Sequence, residues 1–276
     1  MREFRFAGAT AVVTGAASGI GEAVARNLAV RDTHLALVDV DAEGLELVGD
    51  DLRRSHPHLT ISTHVVDLSE RSDFADLVME IGAGHERVTL LVNNAGVALG
   101  GSFADLSLED IDWVMMVNFR AVVAMTKAFL PALTIASGAH IVNVSSLFGL
   151  IAPAGQSAYA ASKFAVRGFS EALRGELEPR GVGVTVVHPG GIATNIAKNA
   201  RLGAGVDPAK AGGQRRQIGA MLTMPAYVAA ELILDAVRSR RGRLVITRQA
   251  KALDRMQRLL PDRYVVMVNR AMRRRR

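Results

Sequence analysis

The chain has 276 residues, 49% of them hydrophobic, with a formal net charge of +6 and no cysteine. This length and apolar content suit one large α/β domain, and the lack of cysteine excludes disulfides and thiolate metal sites. The basic character lies at the C-terminus, where residues 248–276 hold ten basic and two acidic side chains. This distribution argues against a nucleic-acid-binding surface on the main body. Since Met1–Phe6 lacks the apolar segment of a secretory signal, we expect a cytoplasmic protein.

Apolar, β-branched runs alternate with amphipathic helical segments along the chain. The predicted strands cover residues 11–14, 35–39, 60–66, 88–92, 139–144, 183–187 and 243–246. The predicted helices cover residues 19–30, 42–55, 69–81, 108–133, 157–178 and 225–239. Strands that are apolar throughout and alternate with helices predict a parallel sheet covered on both faces. We therefore predict a single α/β domain over residues 1–250, with a doubly wound sheet of about seven strands.

The first strand is followed by a glycine-rich turn, Thr14–Gly21. Glycines there permit a tight turn and let backbone N–H groups approach a pyrophosphate at the positive end of a helix. Such turns are common, but Asp39 ends the second strand, where an acidic side chain can bind an adenosine ribose diol. Asp39 could also simply cap the next helix. A carboxylate there repels a 2′-phosphate, and neither Ser18 nor Val40 supplies a cation, so NAD is favoured over NADP.

Tyr159 and Lys163 are four residues apart, so they share a face of any helix that carries them. A phenol ordinarily titrates near ~10, and a neighbouring cation favours its phenolate. Ser146, thirteen residues upstream of the tyrosine, could hold a substrate oxygen that the phenol protonates. Taken alone, Tyr159 would more often be a core tyrosine and Lys163 a solvated helix residue.

Further motifs follow the later predicted elements in order. They are Asp67-Leu68 after the third strand, Asn93-Asn94-Ala95-Gly96 after the fourth, Asn118 in the long helix, and Pro189-Gly190 with Ile192 and Thr194 after the sixth strand. Together with Thr14–Gly21, Ser146 and the Tyr159–Lys163 pair, this order of motifs resembles the classical short-chain dehydrogenase/reductase family over about residues 8–250. The resemblance implies a Rossmann-like fold.

The resemblance also implies a site and a reaction. Catalytic roles fall to Asn118, Ser146, Tyr159 and Lys163. The implied cofactor-binding residues are Gly15, Ser18, Gly19, Ile20, Gly21, Asp39, Asp67, Leu68, Asn94, Ala95, Gly96, Tyr159, Lys163, Pro189, Gly190, Ile192 and Thr194. Hydride would pass between NAD(H) and a secondary alcohol or ketone, with Tyr159 as acid or base and its pKa lowered by Lys163 and the nicotinamide. Ser146 would position the substrate oxygen, and Asn118 would connect Lys163 to solvent.

Other features of the family leave alternatives open. Its members that lost catalysis serve as nucleotide-binding regulators, but here the Asn-Ser-Tyr-Lys set is intact. The family implies a homodimer or homotetramer and gives no role to His140 or His188, which we interpret as structural. Ser145, beside the catalytic serine, is predicted to face the core. No His, Asp and Glu cluster suggests a metal.

The substrate lid is expected at about residues 195–224. Its apolar residues are Ile196, Leu202, Val206, Ile218, Met221, Leu222 and Met224. With Leu147, Phe148 and Ile151 they suggest a pocket for a lipophilic ketone or alcohol, although they could equally serve only to close the lid onto the domain. The glycines Gly203, Gly205, Gly212 and Gly213 suggest a mobile lid.

The basic extension, residues 251–276, has no counterpart at the usual end of the family. Lys251, Arg255 and Arg258 alternate with apolar residues as in a basic amphipathic helix. A second apolar segment, residues 264–268, precedes the terminal arginines. Such a segment could lie on an anionic membrane surface, pack on a partner subunit, or remain solvated and partly disordered.

Overall fold

The computed structural model describes residues 2–70, 74–207, 219 and 222–273 of the chain. Its centre is a sheet of seven strands: β1 Thr10–Thr14, β2 His34–Asp39, β3 Ile61–Val65, β4 Leu90–Asn93, β5 His140–Val144, β6 Gly183–His188 and β7 Arg243–Val245. The spatial order is β7-β6-β5-β4-β1-β2-β3, and every neighbouring pair is parallel. The order reverses between β1 and β4, and a crevice opens at such a point beyond the carboxyl ends of the strands.

Helices connect the strands. They are α1 Gly19–Ala29, α2 Ala42–Ser55, α3 Ala75–Gly84, α4 Leu108–Met115, α5 Ala121–Ile135, α6 Ser157–Leu177, α7 Ala226–Arg238, α8 Arg248–Leu259 and α9 Tyr264–Arg273. Short 3-10 turns cover Phe103–Asp105, Leu147–Gly149, Glu178–Arg180 and Asn195–Ala197. Two further pairs of two-residue strands join Ile192–Ala193 to Met224–Pro225 and Leu99–Gly100 to Arg201–Leu202.

Each face of the sheet is covered by its own apolar layer. On one face, α1, α2 and α7 contribute side chains such as Leu28, Leu45 and Ile233. On the other face, α3, α5 and α6 contribute side chains such as Ile81 and Phe129. Because both faces are buried, the strands are apolar throughout, and this is why they lack a polar alternation. The predicted doubly wound parallel sheet is confirmed.

The helix predicted over residues 108–133 is interrupted. Residues Met116–Arg120 form one π-helical stretch between α4 and α5. The whole stretch Leu108–Ile135 is long and apolar enough to span a membrane by composition, but its inner side, including Met125 and Phe129, is buried in the core of the domain. We therefore interpret it as a core helix. The helix predicted over residues 69–81 begins later, at Ala75, and residues 71–73 lie outside the described part.

The basic extension folds as two helices that return to the domain. Tyr264 and Val268 of α9 are buried against Ile151, in the loop that follows β5. The Asn269 side chain accepts a hydrogen bond of 3.0 Å from the backbone N–H of Ala154 in the same loop. The extension up to Arg273 is therefore helical and packs on the domain through Tyr264 and Val268, and only its inner side departs from the interpretation of a solvated end.

Candidate active site

The turn between β1 and α1 brings backbone very close to backbone. Gly15 has a φ of +68°, and a Cβ there would lie 2.8 Å from the Asn94 side chain. A Cβ on Gly21 would lie 1.9 Å from the Gly15 carbonyl oxygen. Ser18 precedes α1 in extended conformation, and its side chain does not cap the helix. The positive helix end and its N–H groups are thus left to face an anion, as a pyrophosphate site requires.

The end of β2 closes this turn on one side. The Asp39 carboxylate accepts hydrogen bonds from the Ala17 N–H at 2.9 Å and from the Asp41 N–H at 3.1 Å. Asp41, not Asp39, caps α2, since its side chain accepts from the Gly44 N–H at 3.1 Å. Asp39 therefore presents an acidic edge to the glycine-rich turn, where the sequence predicts the ribose site.

The segment after β4 forms the opposite wall. The Asn94 amide donates to the carbonyls of Thr14 and Gly15 at 3.0 and 3.2 Å. The Thr14 hydroxyl in turn accepts from the N–H groups of Asn94 and Ala95, both at 3.0 Å. A Cβ on Gly96 would lie 3.1 Å from the Lys163 ammonium, so only glycine leaves that cation room. The hydrogen bonds between Asn94 and Thr14 join β1 to β4 at the topological switch point.

Two other predicted cofactor segments lie at the same edge of the sheet. Asp67 is exposed after β3 and accepts from the N–H and hydroxyl of Ser69, both at 2.7 Å. Leu68 beside it is buried. After β6, the Pro189 carbonyl accepts from the Leu147 N–H at 2.8 Å. This bond ties the predicted nicotinamide segment to the loop that carries Ser146.

The nicotinamide segment also meets the glycine-rich turn directly. A Cβ on Gly19 would lie 3.1 Å from the Thr194 methyl group, and Ile192 is buried. A Cβ on Gly190 would lie 3.0 Å from Ala250 at the start of α8. These close approaches favour glycine at both positions. The contact of Gly190 with Ala250 also links the predicted cofactor site to the C-terminal helices.

Tyr159 and Lys163 lie one turn apart on the buried side of α6. The Lys163 ammonium is 6.0 Å from the centroid of the Tyr159 ring and donates a hydrogen bond of 3.2 Å to the Val144 carbonyl. Both side chains are almost fully buried. The Ser146 hydroxyl, just after β5, accepts a hydrogen bond of 3.1 Å from the Phe148 N–H and lies close enough to the Tyr159 phenol to lower its pKa. The structure therefore brings Ser146, Tyr159 and Lys163 together.

Burial controls the protonation of Tyr159 and Lys163. It raises the pKa of Tyr159 above its usual value, and the nearby Ser146 hydroxyl offsets part of that rise. Burial lowers the pKa of Lys163 to about 8, so that its ammonium is retained at neutral pH. In the protein without a dinucleotide the cost of burying a phenolate therefore outweighs the favourable contacts, and the lowering of the Tyr159 pKa by Lys163 and the nicotinamide stays a prediction.

Asn118 completes the cluster from the π-helical stretch. Its side chain both accepts from the Val97 N–H at 2.8 Å and donates to the Val97 carbonyl at 3.0 Å. It also donates to the Ser162 hydroxyl at 3.0 Å, and that hydroxyl donates to the Tyr159 carbonyl at 2.8 Å. Asn118 is thereby joined to the helix turn that carries Tyr159 and Lys163. π-Helical turns often occur at functional sites.

Sequence reasoning missed two residues that support this cluster. Ser162 bridges Asn118 and the Tyr159 backbone, and only its place inside the Tyr-x-x-x-Lys interval could have pointed to it. The His188 imidazole donates through Nδ1 to the Ser146 carbonyl at 3.0 Å. Burial lowers the pKa of His188 to about 4, so the ring is neutral. His140 is also neutral and buried, bonded to the Thr185 hydroxyl at 2.8 Å, so neither histidine serves as an acid-base group.

The apolar residues that follow Ser146 pack against the C-terminal extension, which the sequence did not indicate. The Phe148 ring meets the Tyr159 ring edge to face, with centroids 6.1 Å apart. Leu147, Phe148 and Ile151 then pack with residues of the C-terminal extension. Those residues are Leu253, Met256, Tyr264, Val265 and Val268. The extension therefore packs on the loop that carries Phe148, the ring that contacts Tyr159.

The lid itself is partly anchored. A Cβ on Gly203 would lie 2.5 Å from the Asp105 carbonyl oxygen, and the Gly205 N–H donates to the same oxygen at 2.9 Å. The Arg201 guanidinium pairs with the buried Asp110 carboxylate at 3.2 Å. Gly203 and Gly205 are thus required for close packing and not for mobility. Gly212, Gly213, Ile218 and Met221 lie outside the described residues.

A cavity of about 880 Å³ runs along α1 from Gly19 to Asn27, beneath Thr194 and Lys198. It shares Gly19 and Thr194 with the predicted cofactor site but does not reach Tyr159. We therefore do not assign it to the substrate.

Comparison with known proteins agrees with these motifs. The family described as short chain dehydrogenase matches residues 9–204. SadH of Mycobacterium tuberculosis is 41% identical over 268 residues, which cover 95% of both chains. Dehydrogenase/reductase SDR family member 7B of Bos taurus is 38% identical over 197 residues, which cover 70% of this chain and 60% of the relative.

Solved structures share the whole fold. A short chain dehydrogenase/reductase from Burkholderia phymatum in complex with NAD has a TM-score of 0.84 at 31% identity, covering 93% of this chain and 95% of that chain. A short chain dehydrogenase from Burkholderia cenocepacia in complex with NADP has a TM-score of 0.76 at 31% identity, covering 90% and 100%. Both kinds of nicotinamide dinucleotide are thus bound by similar proteins. The chain belongs to the short-chain dehydrogenase/reductase family of nicotinamide-dependent oxidoreductases.

Proposed function

We propose that this protein transfers a hydride between NAD(H) and a lipophilic secondary alcohol or ketone, with Tyr159 as the acid or base. The observation that carries the proposal is the grouping of Ser146, Tyr159 and Lys163 at the carboxyl edge of the sheet, next to a glycine cradle for a dinucleotide. When bound, that dinucleotide would supply or accept the hydride. The remaining chemistry belongs to side chains of this chain.

The residues of the cradle fit such a group. Gly15, Gly19 and Gly21 keep side chains away from the helix end, where N–H groups would bind the pyrophosphate. Asp39 would accept hydrogen bonds from the adenosine ribose. Its negative charge disfavours a 2′-phosphate, and Val40 and Asp41 beside it offer no compensating cation. These features support NAD in preference to NADP.

The three buried side chains divide the proton chemistry. In the reducing direction, the Tyr159 hydroxyl donates its proton to the carbonyl oxygen of the substrate. Ser146 donates a hydrogen bond to the same oxygen, and the Lys163 ammonium stabilises the phenolate that is left. In the oxidising direction, the Tyr159 phenolate removes the proton of the hydroxyl group. Because burial raises the Tyr159 pKa, the neutral phenol predominates at pH 7, and this form suits ketone reduction.

Asn118 joins two of the segments that form the site. Its bonds to Val97 and to Ser162 fix the segment beside Gly96 against the α6 turn of Lys163. A reprotonation path from solvent to Lys163 past Asn118 is part of the proposal. We also propose a homodimer or homotetramer, as the family implies, which sedimentation analysis of the purified protein tests.

The substrate is proposed to be apolar because of what borders Tyr159. Phe148 stacks edge to face on the Tyr159 ring, and Ile151 lies in a layer formed with Tyr264 and Val268. This side of the site offers methyl groups and ring edges to a substrate, with Ser146 and the phenol as the polar groups that fix its oxygen.

The test is a two-step measurement on the purified protein. NADH and NADPH binding are measured by fluorescence titration, and turnover is then screened with ketones and secondary alcohols of increasing chain length, in both directions. We expect tighter NADH binding and rising kcat/KM with apolar chain length. NADH binding without turnover on any of these substrates would favour a nucleotide-binding regulator instead.

A further inference from the structure

Helix α9 has two different faces. Its inner face carries Tyr264 and Val268, one turn apart and buried against Ile151 in the loop after Ser146. The bond from the Ala154 N–H to the Asn269 side chain holds the same face in place. The inner face therefore borders the substrate side of the site.

The outer face of α9 combines exposed apolar side chains with cations. Arg263, Val266, Met267 and Arg270 follow one another at i, i+3, i+4 and i+7, so they share one side of the helix. Val266 is 61% exposed and Met267 is 47% exposed. Each is thus open to solvent on a helix whose other side is buried, with a guanidinium one turn before and one turn after.

The charge around this face is one-sided. From Asp262 to Arg276 the sequence has six arginines and one acidic residue, Asp262, which is exposed beside Arg263. In α8, the Asp254 carboxylate is bound by Arg243 at 2.6 Å and by Arg258 at 3.4 Å, so it is already paired within the protein. Leu259, 78% exposed, and Leu260 extend the apolar surface at the end of α8.

We propose that the outer face of α9 docks on an anionic lipid bilayer. Val266 and Met267 enter the headgroup region, while Arg263 and Arg270 contact lipid phosphates, as an interfacial amphipathic helix requires. Charge complementarity selects this partner, because a segment of six arginines with the single carboxylate of Asp262 repels a second copy of itself. A cytoplasmic protein would in this way reach the membrane surface.

Docking also gives the substrate a source. Helix α9 covers the loop that follows Ser146, so docking through its outer face would hold the site close to the bilayer that contains a lipophilic ketone or alcohol. This consequence rests on the proposed function, whereas the docking itself does not. Vesicle binding is therefore measured without turnover, and a failure of either idea is seen separately.

The experiment is co-sedimentation of the full chain with vesicles of neutral lipid and with vesicles that contain about a third anionic lipid. We expect binding to anionic vesicles at about 0.1 M salt and its loss at about 1 M, where the Debye length falls to about 3 Å. Arg263→Glu/Arg270→Glu should lower the partition coefficient by more than about tenfold, since each cation near the surface contributes about fivefold. Val266→Ser/Met267→Ser should weaken binding at every salt concentration at which the wild type binds.

The matched control is Arg87→Glu/Arg180→Glu. It changes the net charge equally, but both arginines are exposed before β4 and β6, at the opposite edge of the sheet. We expect this control to bind like the wild type, and all variants to keep the wild-type melting temperature. No binding at low salt would overturn the proposal. So would equal losses in both charge-reversal variants, or α9 variants that change only the oligomeric state.

Discussion

The Ser145 hydroxyl donates a hydrogen bond of 2.8 Å to the backbone carbonyl of Lys163, so this serine fastens β5 to α6. The hydroxyl of Ser146, the next residue, accepts from the Phe148 N–H at 3.1 Å and lies near the Tyr159 phenol, whose pKa it lowers. A Cβ on Gly149 would lie 2.2 Å from the Ser145 oxygen, which explains the glycine in the turn that follows. Two adjacent serines thus have separate tasks, one in packing and one toward the substrate.

Substitution of these two serines should separate the tasks. Ser145→Ala is expected to lower the free energy of unfolding by about 1 kcal/mol and to retain most turnover, because it removes one buried hydrogen bond. Ser146→Ala should lower kcat by about a hundredfold or more, because a donor to the reacting oxygen is lost, and should cost at most about 1 kcal/mol through the lost bond from the Phe148 N–H. Urea unfolding and steady-state kinetics of both variants check this. A loss of turnover in Ser145→Ala, with turnover retained in Ser146→Ala, would show that Ser145 and not Ser146 holds the substrate oxygen.

Asp39 should determine the choice of dinucleotide. We expect the wild type to prefer NADH to NADPH in kcat/KM, and Asp39→Ser/Val40→Arg to reverse the preference, because a repelling carboxylate is replaced by a cation. The change in the ratio should exceed about a hundredfold, as like-charge contacts cost several kcal/mol.

The control for this prediction is Asp41→Asn. Asp41 caps α2 through the Gly44 N–H, and asparagine caps a helix about as well, so this variant should keep the wild-type stability and leave the cofactor ratio unchanged. A wild-type enzyme that uses both cofactors equally would contradict the role given to Asp39.

Buried neutral histidines should make the fold sensitive to acid. Burial lowers the pKa of His140 from 6.5 to about 3 and that of His188 to about 4. Below about pH 6.5 the unfolded chain therefore binds protons that the folded protein does not, so stability is lost as the pH falls toward about 4. Each histidine should contribute a slope of up to about 1.4 kcal/mol per pH unit.

Urea unfolding at a series of pH values measures that slope. His140→Gln should flatten the curve, whereas His58→Gln, at an exposed position, should leave it close to that of the wild type. A stability that does not change between pH 7 and pH 5 would show that these rings are protonated in the folded state.

Much of the site was predictable because its motifs are local. The glycines of Thr14–Gly21 and the spacing of Tyr159 and Lys163 express constraints within one turn of chain. Asp39 at a strand end likewise depends on the alternation of strands and helices. Such constraints appear in the sequence itself.

The rest depends on contacts between distant segments. Tyr264 packs on Ile151, more than a hundred residues away in the chain, and an apolar helix face in the sequence does not reveal which segment it packs against. His188 supports Ser146 only because β5 and β6 are neighbours. The sequence predicts that Gly203 makes the lid mobile, because composition cannot distinguish a glycine that permits close packing against Asp105 from one that permits motion.

The most direct test of the account is the Tyr159→Phe variant, compared with Phe148→Leu as a control beside the same ring. NADH affinity and ketone reduction are measured for both variants, on a substrate found by the screen. We predict that Tyr159→Phe binds NADH within a few-fold of the wild type but loses at least about a thousandfold in kcat, since the proton donor is gone. Phe148→Leu should mainly alter KM. Near-wild-type turnover by Tyr159→Phe would contradict the proposed role of Tyr159.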